Sequence, residues 1–336
     1  MLRFFFSVLC LALPASAQPK KILVFHPDPT LLRELEGVTP QAQLVPVTAE
    51  TVMREIADAD AFIGNIRPEH VRAGKKLKWV QVMSAGVEQV LHLSGSNDLR
   101  DSDIVLTNNK IVQGPEIADH AMALLLALAR RIPEFVENRR QEIWRTGRPY
   151  EGIELNGRTA LVIGVGGVGM QIAVRSWACG MTVLGADPED IPYTPFLQRV
   201  VKPDQLDEVL PQADVIFVAA PHTPESYKML GPRQFERMKP GAYFIAVSRG
   251  ALYDMDALVK ALDSRRLAGA GLDVTDPEPL PKGHPLWKFD NVIITPHIAG
   301  RSDKDRARMI GTVRENIRRF VEGKPLINIV DKHKGY

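Results

Sequence analysis

Only two cysteines, Cys10 and Cys179, occur in the 336 residues. No Cys-x-x-Cys pair and no Cys/His ligand spacing is present, so neither a zinc site nor any other metal site is expected. Charge of one sign is missing too: 42 Lys and Arg stand against 40 Asp and Glu, a formal net charge of +2. Such a balance gives no basic field for nucleic acid. Arg139, Arg140 and the arginines between 301 and 319 read as solvated helix faces.

A membrane-spanning run is also lacking. The apolar stretch at residues 4–13 is too short to cross a bilayer. Arg3 precedes it and Ala15, Ser16 and Ala17 follow it, the order of a secretory signal peptide. Residues 1–17 are therefore expected to be removed after Ala17, giving an exported protein, periplasmic or secreted, with no stable membrane anchor. The alternative is a cytoplasmic protein. Leu9 directly before Cys10 speaks against lipidation of that cysteine. Cleavage would leave Cys179 as the sole thiol.

What remains is 45% apolar and 24% charged, ordinary for a soluble globular chain. Its length allows two domains. From Lys20 onward, strand-like runs alternate with helical ones: "KILVF", "AQLVPV", "AFIGN", "WVQVM" and "DIVLTN", with "LLRELEG" and a Thr-capped "TAETVMREIAD" between. That alternation indicates a doubly wound parallel sheet. Residues 115–144 read as a long helix that Pro133 breaks or kinks. Its first half is apolar on all sides, so burial between domains or subunits is expected. A second α/β series begins at "RTALVIGVGGVG" and runs to "NVIITPH", before a last long helix from about Ser302 to Val321.

Gly164-x-Gly166-x-x-Gly169 lies between a strand and a helix in that second series. The first glycine permits a tight turn, the second lets backbone approach a pyrophosphate, and the third allows close helix packing. Gly167 and Val168 complete the loop. Asp187 closes the next strand, where an acid suits the adenine ribose hydroxyls. "PED" after it holds no cation for a 2′-phosphate, so NAD is expected rather than NADP. The fingerprint's central position implies a nucleotide domain at residues 111–300, with 18–110 and 301–336 forming a discontinuous partner domain.

Three polar residues fall near strand ends of this series: Arg249 in "VSRG", Glu278 in "DVTDPEP" and His297 in "TPH". Each alone could be a surface charge or a helix cap. Together they suit reduction of a 2-oxo acid. Arginine grips a carboxylate by two bonds, histidine transfers a proton near neutral pH, and a neighbouring carboxylate favours the imidazolium.

The stretches "SAGVEQV", "IADHAMALLLALAR", "LNGRTALVIGVGGVGMQIA", "SRGALYDMDAL", "GLDVTDPEPLP" and "HPLWKFDNVIITPHIAG" resemble the D-isomer-specific 2-hydroxyacid dehydrogenases, nearest to glyoxylate and hydroxypyruvate reductases. The resemblance implies an α/β fold of two doubly wound parallel-sheet domains: a Rossmann NAD-binding domain inserted into a flavodoxin-like substrate domain. It implies that Arg249 binds the substrate, His297 is the acid/base and Glu278 its partner. Ala85, Gly86 and Val87 would hold the substrate carboxylate. Asp273 would contact the nicotinamide end, with Pro221, Arg249 and His297 also lining the coenzyme. A homodimer is implied as well. Departures include Asp119 for the commoner Glu, His222 for an apolar residue and Tyr253 for an aliphatic one. His222 reads as a loop residue near the adenine, and Tyr253 has no assigned role. Glu278 speaks against formate as substrate, since formate dehydrogenases carry Gln there. A binding or regulatory protein on the same scaffold is the competing reading.

Overall fold

The computed structural model describes residues 18–144 and 152–336. The expected signal peptide lies outside the described residues.

Two parallel sheets organise the chain. The first contains β1 (Lys20–Phe25), β2 (Ala42–Pro46), β3 (Ala61–Gly64), β4 (Trp79–Gln81) and β5 (Val105–Thr107), in the order β2-β1-β3-β4-β5. Helices α1 (Thr30–Leu35), α2 (Val52–Glu55) and α3 (Pro68–Ala73) connect its strands. Side chains alternate across this sheet as the period of two requires. Leu23, Phe62, Val80 and Leu106 enter one core, while Ile22, Val24, Ala61, Ile63 and Trp79 enter the other.

The second sheet contains β6 (Thr159–Ile163), β7 (Thr182–Ala186), β8 (Arg199–Val201), β9 (Val215–Val218), β10 (Ala242–Ala246), β11 (Leu267–Leu272) and β12 (Val292–Ile294). Its order is β12-β11-β10-β9-β6-β7-β8. Helices α4 (Gly114–Ala129), α5 (Ile132–Arg140), α6 (Gly167–Ala178), α7 (Leu206–Val209), α8 (Pro232–Arg237) and α9 (Met255–Asp263) accompany it. Both faces are covered, as parallel sheets require. In β6, Leu161 and Ile163 face one core and Ala160 and Val162 the other.

The last helix, α10 (Asp305–Val321), returns to the first sheet. Val313 and Ile317 pack with Ile22 and Trp79. Asn316, fully buried, donates to Gln81 Oε1 at 3.0 Å and to the Ile327 carbonyl at 3.0 Å.

The structure refines several sequence expectations. The long helix is two helices, and the break falls at Arg131, whose φ is +56°, two residues before Pro133. The apolar side of α4 is buried within the chain, against α6 and the second sheet. Thr48 does not cap a helix: α2 starts at Val52, and the Thr48 amide donates to the Thr51 hydroxyl instead. The edge strand β8 has no expected counterpart, being three residues long and flanked by polar sequence. Tyr253 is a core residue: it is 1% exposed, and its hydroxyl donates to the Val274 carbonyl.

Candidate active site

Every residue singled out in the second series sits beyond the carboxyl end of a strand, where open parallel sheets bind ligands. The sheet order sets their sequence in space. His297 follows β12, Asp273 and Glu278 follow β11, and Arg249 follows β10. Pro221 follows β9, the glycine loop follows β6, and Asp187 follows β7. The edge therefore runs from a histidine and two carboxylates at one end, past a glycine turn, to another acid at the other end.

The glycine turn separates into packing and cradle positions. Gly164 has φ +86°, and an added Cβ would lie 2.4 Å from Ala220 backbone. An added Cβ at Gly169 would lie 1.8 Å from the Gly164 carbonyl oxygen. Both positions need glycine for the fold itself. At Gly166 an added Cβ meets nothing within 4 Å, and φ is −72°, so neither strain nor packing demands glycine there. Gly166 precedes α6, which has no side-chain cap, so the helix N-terminus is presented to this cradle. Gly167 abuts Ile111, and Val168 packs against the second-sheet core. Asp187 is 7% exposed, with Oδ2 accepting from the Val165 amide at 2.7 Å and Oδ1 from the Glu189 amide at 2.8 Å. The cradle, the helix terminus and this acid fit a dinucleotide's pyrophosphate and ribose.

At the other end, His297 Nδ1 lies 2.8 Å from Glu278 Oε2. The second oxygen of Glu278 accepts from the Thr275 amide at 3.0 Å, which fixes the carboxylate. His297 has φ +53°, a left-handed conformation that costs a non-glycine residue roughly 1–2 kcal/mol. Hydrogen bonds hold it there: its amide donates to the Asp273 carbonyl at 2.8 Å. The Asp273 carboxylate, 2% exposed, accepts from the Thr295 hydroxyl at 2.6 Å and from the amides of Ile298 and Ala299 at 3.0 and 2.9 Å. His120 on α4 adds a 2.9 Å bond to the same Thr295 hydroxyl. Asp273 thus holds the loop that carries His297.

Arg249 connects the two sheets. Its Nε donates to Glu88 Oε1 at 2.7 Å and its Nη1 to the Ser248 carbonyl at 2.7 Å. Its Nη2 lies 2.1 Å from where a Cβ on Gly86 would stand, so the loop of Ala85, Gly86 and Val87 touches the guanidinium. That loop is held from β5: Asn108 donates to the Ala85 carbonyl at 2.6 Å and Asn109 to the Met83 carbonyl at 2.8 Å. Burial pushes the Glu88 carboxyl up, but the charge and hydrogen bond of Arg249 pull it further down, leaving it below the usual carboxylate range.

Glu88, His120 and the two asparagines were not singled out from sequence. Glu88 stood inside "SAGVEQV", two residues from Gly86, and an acid beside a loop expected to hold an anion was the available signal. His222 lies in the loop after β9, as expected. Its ring meets His92, in the segment between β4 and β5, edge-on at 5.0 Å between centroids and stacks on Tyr227. No group of three or more His, Cys, Asp or Glu able to hold a metal occurs among the described residues. No helix among them is long and apolar enough to cross a membrane.

Residues 122–299 match the family model described as D-isomer specific 2-hydroxyacid dehydrogenase, NAD binding domain. A D-3-phosphoglycerate dehydrogenase of Archaeoglobus fulgidus is 34% identical over 289 residues, covering 85% of this chain but only 54% of the relative. A glyoxylate reductase of Korarchaeum cryptofilum is 33% identical over 300 residues, covering 85% of this chain and 87% of the relative. Among solved structures, a D-isomer specific 2-hydroxyacid dehydrogenase from Xanthobacter autotrophicus Py2, in complex with NADPH and MES, superposes with a TM-score of 0.80 at 26% identity, covering 95% of this chain and 100% of that one.

Proposed function

The chain belongs to the D-isomer specific 2-hydroxyacid dehydrogenase family, and from that premise we propose that it reduces a small 2-oxo acid to the D-2-hydroxy acid with NADH, and runs the reverse reaction. The observation that carries this reading is the 2.8 Å contact of His297 Nδ1 with Glu278, one strand from Arg249 on the same sheet edge.

NADH, when bound, supplies the hydride. The protein's part is binding, orientation and proton transfer. Glu278 accepts from Nδ1 of His297, which leaves Nε2 as the nitrogen that gives its proton to the carbonyl oxygen during reduction and regains it in the reverse direction. Arg249 offers its remaining guanidinium donors to the substrate, and the Ala85, Gly86 and Val87 loop supplies backbone amides to the carboxylate from the opposite side. The substrate thus lies between the two sheets, and closure of that cleft excludes water.

Glyoxylate and hydroxypyruvate are the substrate class we favour. Glu88 adds buried negative charge beside Arg249, which disfavours a phosphorylated side chain. For the coenzyme, Asp187, Glu189 and Asp190 gather at the adenosine end, which supports NAD over NADP. A panel of 2-oxo acids with NADH and NADPH, followed at the absorbance of the reduced coenzyme, tests both points. Turnover of glyoxylate or hydroxypyruvate with NADH is expected. Turnover of no small acid would favour a binding or regulatory protein.

Two further parts of the reading concern assembly and location. Ile132, Val136, Ile143 and Trp144 are exposed apolar residues on and after α5, and we propose that they form a homodimer contact. A monomeric mass in solution would contradict it. The basic start, apolar run and Ala15, Ser16, Ala17 pattern support export with cleavage after Ala17. The N-terminal peptide of the native protein decides that: Gln18 is expected first, and a peptide retaining residues 4–13 would overturn it.

A further inference from the structure

The adenosine end of the sheet edge is built partly by residues far away in sequence. Segment 331–336 is pinned to the first unit by Lys332, whose Nζ donates to the carbonyls of Leu99, Ser102 and Ile104. It then crosses to the second. Gly335 is buried near Thr223, the second residue after Pro221. Lys334 Nζ lies 2.6 Å from Glu189 Oε1, and the Tyr336 hydroxyl donates to the same oxygen at 2.8 Å. The segment is closed on itself. The Gly335 amide donates to the Asp331 carbonyl, and Asp331 Oδ1 accepts from the amides of His333 and Lys334.

This places a cation where the local sequence has none. The Glu189 amide donates to Asp187 Oδ1, so Glu189 adjoins the carboxylate assigned to the adenine ribose. Asp190 is paired with Lys202 at 2.7 Å, and Glu189 with Lys334. Both lysines at this edge are thus already committed to carboxylates. Asp187 is bonded by backbone amides instead. A 2′-phosphate brought here would add nearly two negative charges beside Asp187, where the lysines are held by Glu189 and Asp190.

We propose that Glu189, restrained by Lys334 and Tyr336, tunes the coenzyme's 2′ preference: the Glu189–Lys334 pair disfavours a 2′-phosphate, and loss of the Glu189 charge would hand Lys334 to it. The proposal rests on the reading of this groove as a dinucleotide site. It follows from ordinary charge competition, since a lysine ammonium binds phosphate as a point charge once no carboxylate holds it. The Glu189–Lys334 and Glu189–Tyr336 contacts, at 2.6 and 2.8 Å, lie well inside the screening length of about 8 Å at physiological salt. The pair is partly exposed, so the effect is a matter of several-fold and not of orders of magnitude.

The experiment uses the full chain and measures Kd for NADH and for NADPH by fluorescence, at low and high salt, in the wild type, Glu189→Gln, Lys334→Gln, the double variant and Tyr336→Phe. Glu189→Gln is expected to tighten NADPH by about 3- to 10-fold while NADH changes far less, a gain that shrinks as salt is raised. Lys334→Gln should weaken NADPH relative to NADH, and in the double variant the gain should vanish. Tyr336→Phe should shift the ratio in the same direction as Glu189→Gln, and more weakly. A Kd ratio unchanged in Glu189→Gln, or a gain retained in the double variant, overturns the proposal and leaves the family reading intact. Failure of the wild type to bind either dinucleotide overturns the reading beneath it, and the proposal with it.

Discussion

Arg249 Nε stands 2.7 Å from Glu88 Oε1, so the side chain assigned to the substrate is already paired with a carboxylate from the other sheet. The pair is well sheltered, with side-chain exposures of 29% and 11%, and it spans the cleft. On the proposed assignment, a substrate carboxylate would share Arg249 with Glu88. The contact therefore sets how strongly the guanidinium is available and joins the two units where the chemistry is placed.

Glu88→Gln removes that competitor while keeping the shape of the side chain. KM for the 2-oxo acid is expected to fall by about 3- to 10-fold, the size of a sheltered but not fully buried charge interaction, with kcat changed much less. Steady-state kinetics on glyoxylate check this. A KM that rises with Glu88→Gln would mean that Glu88 orients Arg249 rather than competing for it.

The glycines of the turn should part company under substitution. Gly166→Ala places a methyl into open space at an unstrained φ, so stability should stay within about 1 kcal/mol of wild type. The same methyl stands where the pyrophosphate is assigned, so NADH binding should weaken by at least about tenfold, some 1.4 kcal/mol. Gly169→Ala drives its methyl into the Gly164 carbonyl, and overpacking of about 1–3 kcal/mol or more is expected in the fold itself. Thermal unfolding and NADH titration on the two variants separate these cases. Unaltered NADH affinity in Gly166→Ala would remove the cradle from the coenzyme site.

Asp214 links β6 to the start of β9. Its carboxylate accepts from Lys239 at 2.7 Å, the Thr159 amide at 2.9 Å and Arg158 at 3.2 Å. Burial pushes this carboxyl up, but the three donors outweigh it and hold it below the usual range. A depressed folded-state value means that the stabilisation is full above the unfolded value of about 3.9 and is lost as pH falls through the folded one. Asp214→Asn should cost about 1–3 kcal/mol near neutral pH. The gap from wild type should narrow below about pH 4. Melting temperatures across pH test it, and a gap that widens in acid would contradict the assignment.

The parts of the site that were legible in sequence are those whose context is local. Gly164, Gly166 and Gly169 lie between an apolar strand and a helix, and Asp187, Arg249 and His297 each follow a strand within a few residues. What escaped depends on tertiary placement. Glu88 matters because Arg249, 161 positions later, folds against it. His120 reaches Thr295 only because α4 packs on the second sheet. Lys334 and Tyr336 meet Glu189 because the chain crosses back after α10. Residues 188–190 hold no cation in sequence, but Lys202 and Lys334 arrive there from elsewhere. The sequence places Asp273 at the nicotinamide, and its bonds to Thr295, Ile298 and Ala299 show it holding the loop that carries His297.

The central claim is that His297, held by Glu278, moves the proton. The most direct test is His297→Asn, with kcat on a 2-oxo acid measured beside Kd for NADH. Loss of a general acid/base should lower kcat by about 10²–10⁴-fold. NADH should still bind, since the glycine loop and Asp187 are untouched. A variant that keeps wild-type kcat would contradict the account.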